Sequence, residues 1–217
     1  GTLGENRLEF TEFAQLALFA LQVGITEMLR SEAITAQAVV GHSVGEIAAA
    51  WASGALSLQE ATKVIYYRSL HQGKTKGKGQ MTAVSLQEND LNEILPQDVC
   101  IAGINSSKGC TIAGEAAALD RFEVVLKKKK IVYKRLPLDY AFHSPIMDPI
   151  RDGILSDLSD LVAQPTTIPF SSTVFGNPLD GSRLAAEYWW DNIRQPVQFH
   201  SAISGFCHEE MNVFIEI

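Results

Sequence analysis

Cysteine is scarce in this chain. Cys100, Cys110 and Cys207 are odd in number and share no metal-ligand spacing, so neither a disulfide framework nor a metal site is expected. Idle thiols of this kind suit a reducing cytoplasm, which is the expected location. Basic charge is also in deficit: 18 Lys and Arg against 25 Asp and Glu give a net charge of -7. That balance speaks against general nucleic-acid binding. No eighteen-residue apolar run is readable, so no membrane span is expected. No signal peptide is readable in Gly1-Thr2-Leu3-Gly4-Glu5-Asn6, and this start reads as a domain cut. There is no internal repeat, and no low-complexity tract beyond Lys127–Lys130. What is present is a chain of 217 residues, 46% hydrophobic, enough to bury a core.

Periodicity predicts a helix over Phe13–Arg30, where Leu16, Phe19, Ala20 and Val23 form one stripe and Leu18, Leu21, Ile25 and Met28 another. An apolar arc this wide predicts burial on most sides. Ala38–Val40 reads as a short buried strand, and the helix after it is expected to run to about Ser53, stopped by Gly54. Ser57-Leu58-Gln59-Glu60 is a capping box for a further helix through Arg68. His71–Gln80 holds three glycines and three lysines and reads as a mobile loop. The texture then changes. Strands at Met81–Leu86, Cys100–Ile104, Gly109–Ala113 and Ile131–Leu136 alternate with helices at Glu88–Leu95 and Ala116–Lys130. That β-α-β-β-α-β order is the ferredoxin-like unit, expected as an insertion in an α/β core. Beyond it, Met147–Leu161 reads as helix, and Ile168–Thr173 and Asn212–Ile217 as strands.

The motif that carries chemistry is Gly41-His42-Ser43-Val44-Gly45, between the Ala38–Val40 strand and the helix-forming Ile47–Ala50. A Gly-x-Ser-x-Gly in that setting is a nucleophile elbow, with serine at the tip of a sharp strand-to-helix turn. Glycines on both sides are expected where a Cβ would crowd the turn. The helix N-terminus favours negative charge beside the serine.

Serine is a weak nucleophile at neutral pH and needs a base within reach. Of five histidines, His42 adjoins Ser43 in a turn that points neighbours apart, His71 falls in the loop, and His200 and His208 sit in a late helical stretch. His143 is the best base: it follows a strand exit and has small or proline neighbours. An acid to orient it is not evident, since Asp139 is too near in sequence and Asp148 and Asp191 have no support.

These residues, with three further stretches, resemble the acyltransferase domains of polyketide and fatty acid synthases. The stretches are Phe10–Phe19, Tyr140-Ala141-Phe142-His143-Ser144, and the Trp-rich run Tyr188–Phe199. The likeness covers essentially the whole chain in order. It implies an α/β-hydrolase-like core with a parallel sheet, from residues 1–79 and 141–217, and a ferredoxin-like insertion over residues 80–140. By resemblance, Ser43 is acylated, His143 is its base, and the Val44 N–H is half of the oxyanion hole. Arg68, 25 positions after the serine, would grip a malonyl carboxylate through two parallel charge-assisted bonds. Gln15, Tyr140, Phe142 and Asn105 would line the substrate site. The backbone carbonyl at Asn192 would orient His143.

Two departures stand out. The family's Gly-Gln-Gly segment, source of the other oxyanion N–H, does not occur ahead of the elbow, and its Gly-Pro-His-Pro turn does not follow Phe214–Ile217. The sequence therefore reads as an incomplete domain.

The implied reaction is ping-pong transfer of an extender group from malonyl-CoA to an acyl carrier protein's phosphopantetheine thiol, with no bound cofactor. A ketosynthase domain would be a neighbour; no nucleic acid or membrane would be a partner. Phe142, Val44 and Thr11–Gln15 are similar to malonyl-selective forms, whereas Tyr140 is of the methylmalonyl type. Competing readings are a methylmalonyl-selective transferase, a serine hydrolase, which would have no use for Arg68, and a non-catalytic carrier-docking module.

Overall fold

The computed structural model describes residues 7–208, 211 and 213–217. Helix α1 (Thr11–Ser31) leads to strand β1 (Val39–Val40), which turns directly into α2 (Gly45–Ala52). Gly54, at φ +83°, ends α2 in the left-handed conformation that glycine tolerates. Ser57 Oγ accepts the Glu60 N–H at 3.1 Å and caps α3 (Leu58–Gly73). A second group follows: β2 (Gln80–Val84), α4 (Glu88–Asn92), β3 (Val99–Ser106), β4 (Gly109–Gly114), α5 (Ala116–Lys128) and β5 (Tyr133–Arg135). The chain closes with α6 (Arg151–Asp157), β6 (Phe170–Ser172), β7 (Asn177–Pro178), α7 (Ala186–Arg194) and α8 (Phe199–His208). This is an α/β fold with two sheets.

The first sheet has the order β1-β6-β7. Only the β1–β6 pair is parallel, in register Val39↔Phe170, and β7 runs antiparallel to β6. The sheet is therefore mixed among the described residues, where a parallel one was expected. The second sheet is antiparallel, in the order β3-β4-β2-β5. Phe122, Leu119 and Leu126 of α5 pack on one of its faces with Ile112, Val99 and Leu91. Met81, Ala102 and Ala113 form a separate cluster with Ala141, packed against Phe142 and Ile146. The sheet is thus wedged against the segment that carries His143. Ile104 N–H donates to Val197 O at 2.8 Å and Val197 N–H to Ala102 O at 2.9 Å, joining β3 to the α7–α8 connection.

Four sequence expectations are corrected. First, α3 continues through His71 to Gly73, because tertiary partners hold its last turn. His71 is buried and pairs with Asp157 at 2.6 Å, and Gln72 is fully buried. Second, α1 is not enclosed: of its residues only Thr11, Gln15 and Phe19 are buried. At 21 residues it is also long and apolar enough to cross a membrane by length and composition alone. Its buried face meets α2 and α3 and carries the polar Gln15, which bonds Gln72 of α3. Third, the expected Met147–Leu161 helix is split into a 3₁₀ turn at Pro145–Ile150 and the short α6, since Pro149 cannot donate to an α-helical ladder. Fourth, Val213–Ile217 carries no ladder, and Asn212 lies outside the described residues.

Candidate active site

Ser43 sits at the tip of the β1–α2 turn with φ +53°. A non-glycine residue in that region is strained, and the surrounding turn must hold it there. Gly41 makes the turn possible: a Cβ there would lie 2.2 Å from the Glu46 nitrogen and the Gly45 carbonyl carbon. Gly45 is different. A Cβ at that position meets nothing closer than Gln22 Nε2 at 3.7 Å, so crowding does not require this glycine, contrary to the sequence reading. Val44 caps α2, so its N–H belongs to the unladdered first turn beside the serine.

His143 enters from the segment after β5, also at positive φ, +57°. Its Nε2 lies 2.7 Å from Ser43 Oγ. Its Nδ1 lies 2.9 Å from the carbonyl oxygen of Gln195. A carbonyl only accepts, so Nδ1 carries the proton and the Nε2 lone pair faces the serine hydroxyl. The orienting carbonyl is therefore that of Gln195 and not that of Asn192. Asn192 lies inside α7, whereas Gln195 is its C-cap, and an extended backbone (φ -79°, ψ 155°) turns its carbonyl out of the helical direction. Burial, reinforced by the Arg68 guanidinium and then by His42, pushes the His143 pKa down to about 3. The imidazole is neutral at physiological pH and able to accept a proton.

Arg68 stands on α3, 2% exposed. Its Nη2 donates to Ser43 Oγ at 3.0 Å. Its Nη1 donates to Gln15 Oε1 at 2.5 Å and Gln72 Oε1 at 2.9 Å, and its Nε to Asn192 Oδ1 at 3.2 Å. All three carboxamides are neutral, and among the described residues no carboxylate forms an ion pair with Arg68. Burial lowers its pKa to about 9, with Glu46 acting the other way. A buried cation with no carboxylate in direct contact is costly unless it meets one in function.

Tyr140 and Phe142 stack, with ring centroids 4.9 Å apart and planes 10° from parallel. The Tyr140 hydroxyl accepts the Thr11 N–H at 3.3 Å, which fixes it to the start of α1. Asn105 is less directly placed: its Oδ1 meets His42 Nε2 at 2.8 Å and its Nδ2 donates to Thr111 at 2.9 Å, tying β3 to the elbow. His42 is thereby turned toward Asn105.

The structure brings Ser43, His143, Arg68, Gln15 and Asn192 into one hydrogen-bonded group. It adds three residues that the sequence reading did not single out for this: Gln72, Gln195 and Glu46. Glu46 is fully buried behind the elbow. Burial raises its pKa to about 7, against hydrogen bonds from Thr173, Tyr188 and Asn192. The available signal was a lone carboxylate directly before the apolar run Ile47–Ala50.

The model of the acyl transferase domain family matches residues 3–217. This chain belongs to that family. It is an acyltransferase domain. It is 40% identical over 98% of its length to polyketide synthase GfsA of Streptomyces halstedii. It is 36% identical over 99% of its length to erythronolide synthase EryA2 of Saccharopolyspora erythraea. The acyltransferase chain spans only 3% and 6% of those two proteins. Among solved structures, the acyltransferase domain from module 8 of the salinomycin polyketide synthase superimposes with a TM-score of 0.92 at 33% identity. That match covers 96% of this chain and 50% of the other.

Proposed function

We propose that this acyltransferase domain transfers a malonyl group from coenzyme A to the phosphopantetheine thiol of an acyl carrier protein during polyketide assembly. The observation that carries the reading is Arg68: a buried guanidinium with only neutral partners, 3.0 Å from the candidate nucleophile. A substrate carboxylate there would supply a direct ion-pair partner. His143 accepts the Ser43 proton at Nε2 as Oγ attacks the thioester carbonyl, and the developing oxyanion draws on the Val44 N–H. His143 then protonates the departing thiolate, leaving malonyl-serine. In the second half His143 deprotonates the incoming carrier thiol, which takes the acyl group and restores the serine. The Gln195 carbonyl keeps the imidazole in the required tautomer throughout.

Malonyl is favoured over methylmalonyl because the Phe142 ring, stacked on Tyr140, fills the position resembling the α-methyl pocket. We read residues 1–79 and 141–217 as a hydrolase-like core and 80–140 as a ferredoxin-like insertion, which the strand order β3-β4-β2-β5 supports. A ketosynthase neighbour and a cytoplasmic setting complete the proposal. The backbone carbonyl behind His143, in the place a hydrolase would fill with a carboxylate, supports transfer over hydrolysis.

The test is mass spectrometry of the protein after exposure to malonyl-, methylmalonyl- and acetyl-CoA. A malonyl adduct on Ser43, absent in Ser43→Ala, is expected. An adduct of unchanged stoichiometry in the variant would refute the assignment.

A further inference from the structure

We propose that Glu46 is a positioning residue, whose carboxylate fixes the orientation of the Asn192 carboxamide and, through it, the Arg68 guanidinium. The inference rests on the reading of Arg68 as the clamp for a substrate carboxylate.

Four donors converge on Glu46. Thr173 N–H donates to Oε1 in a short contact, and the Thr173 hydroxyl lies 3.0 Å from the same oxygen, its proton shared with the Gly41 carbonyl at 3.1 Å. The Tyr188 hydroxyl reaches Oε2 at 2.8 Å and Asn192 Nδ2 reaches it at 2.7 Å. Hydroxyls can reverse their sense, but a backbone N–H and an amide NH₂ cannot. Each carboxylate oxygen therefore faces one obligate donor. A carboxyl group can accept at both oxygens and satisfy both, which a carboxamide cannot.

The consequence reaches the site through Asn192. Because its Nδ2 is held on Glu46, its Oδ1 faces Arg68 Nε at 3.2 Å. The reverse orientation would set an NH₂ against a guanidinium N–H, donor against donor. Arg68 has three other acceptors: Gln15 and Gln72, which both meet Nη1, and Ser43 Oγ, which meets Nη2. Asn192 is thus the one side chain that fixes the Nε edge among the described residues, and Glu46, at 2.7 Å, is the nearer of the two acceptors, with the Ser43 carbonyl at 3.1 Å, that set which end of it is presented. Ser43 depends less on the relay, because its carbonyl accepts the Glu46 backbone N–H at 3.1 Å as well as Asn192 Nδ2.

Glu46→Gln separates these roles at nearly constant shape. The Thr173 N–H cannot turn, so the new carboxamide must place its oxygen there and its NH₂ toward Asn192. Two NH₂ groups would then face each other, so Asn192 is expected to flip, giving up its bond to the Ser43 carbonyl, and Arg68 Nε loses its acceptor. The kcat/KM ratio for malonyl over acetyl transfer is expected to fall at least tenfold, mainly through the malonyl KM. A merely structural role would lower both acyl groups alike and leave the ratio intact, which overturns the proposal. In an Arg68→Ala background, Glu46→Gln should change the ratio no further; a further tenfold change also overturns it.

If Arg68→Ala alone leaves the ratio unchanged, the clamp reading fails, and a crystal structure of Glu46→Gln then decides the positioning role. A guanidinium displaced out of hydrogen-bond reach of Ser43 Oγ supports it, and an unmoved one overturns it. Should Glu46→Gln fail to fold, Asn192→Leu breaks the relay one step later. The ratio must then fall at least tenfold, and an unchanged ratio shows that nothing passes through Asn192.

Discussion

Arg68 Nη2 and Ser43 Oγ lie 3.0 Å apart, although 25 residues separate them in the chain. The contact brings a fixed positive charge to the atom that is to be acylated. It also leaves the other face of the hydroxyl to His143 Nε2 at 2.7 Å.

From this pairing, Arg68→Ala should remove a carboxylate clamp and little else of the serine chemistry. Leaving a buried carboxylate unpaired costs on the order of 2–4 kcal/mol. Malonyl transfer should fall roughly a hundredfold or more on that scale. Acetyl and longer uncharged acyl groups should be spared or improved. Parallel malonyl and acetyl kinetics decide the matter, and equal losses would give Arg68 a purely structural role.

His143 should act as a base well below the pH at which an ordinary histidine fails. Its pKa is lowered from 6.5 to about 3. Ser43 acylation by acetyl-CoA, followed by mass spectrometry, is expected to stay level from pH 8 to 5 in the wild-type protein. A tenfold fall per unit below pH 6.5 would contradict the buried, neutral imidazole. Stability follows the same sign. The depressed pKa favours the native state fully above 6.5, and that contribution is lost as pH falls from 6.5 toward 3. Urea unfolding of His143→Gln should show a shallower acid decline than the parent over that window.

Phe142→Ser should admit a methyl group. Tyr140 remains in place because its hydroxyl is held by the Thr11 N–H. The change therefore opens space beside the stacked pair without collapsing it. One methyl in an apolar pocket is worth about 1–3 kcal/mol. Relaxed selectivity is expected, not a clean switch to methylmalonyl. Competition between the two CoA esters measures it, and an unaltered product ratio would locate the choice elsewhere.

The two glycines of the elbow should behave oppositely. Gly41→Ala would drive a Cβ to 2.2 Å from backbone atoms of Gly45 and Glu46, so the turn must open. A loss of about 4 kcal/mol or more, or failure to fold, is expected. Gly45→Ala begins α2 with open space around the new methyl and should be neutral or stabilising by up to about 1 kcal/mol. Thermal melts of the two variants compare them directly; similar losses in both would refute the distinction.

Much of the elbow was legible because its causes are local. A strand, a Gly-x-Ser-x-Gly turn and a helix-forming run are neighbours in sequence, and their geometry follows from short-range sterics. The capping box at Ser57 and the alternation of elements from Gln80 to Arg135 were legible for the same reason. The end of α3 was not. Its glycines and lysines point to a loop, but Asp157, Gln15 and Arg68 supply partners that carry the helix through Gln72. The burial of α1 was overestimated, because an apolar stripe states what a helix could bury and not what packs against it.

The sequence by itself determined the nucleophile, its turn, and the residue types able to serve as base and clamp. Those depend on short runs of chain and on the chemistry each side chain carries wherever it sits. Only the tertiary structure decided which groups complete them. The carbonyl that sets the His143 tautomer comes from Gln195, and any residue type can offer a backbone carbonyl, so no pattern marks it. The hydrogen bonds that hold Glu46 come from the turn after β6 and from α7, segments far apart in the chain that only the fold brings to the elbow. Burial then sets the pKa values of Glu46, Arg68 and His143 together, since desolvation is a property of the packed interior and not of any residue in the chain.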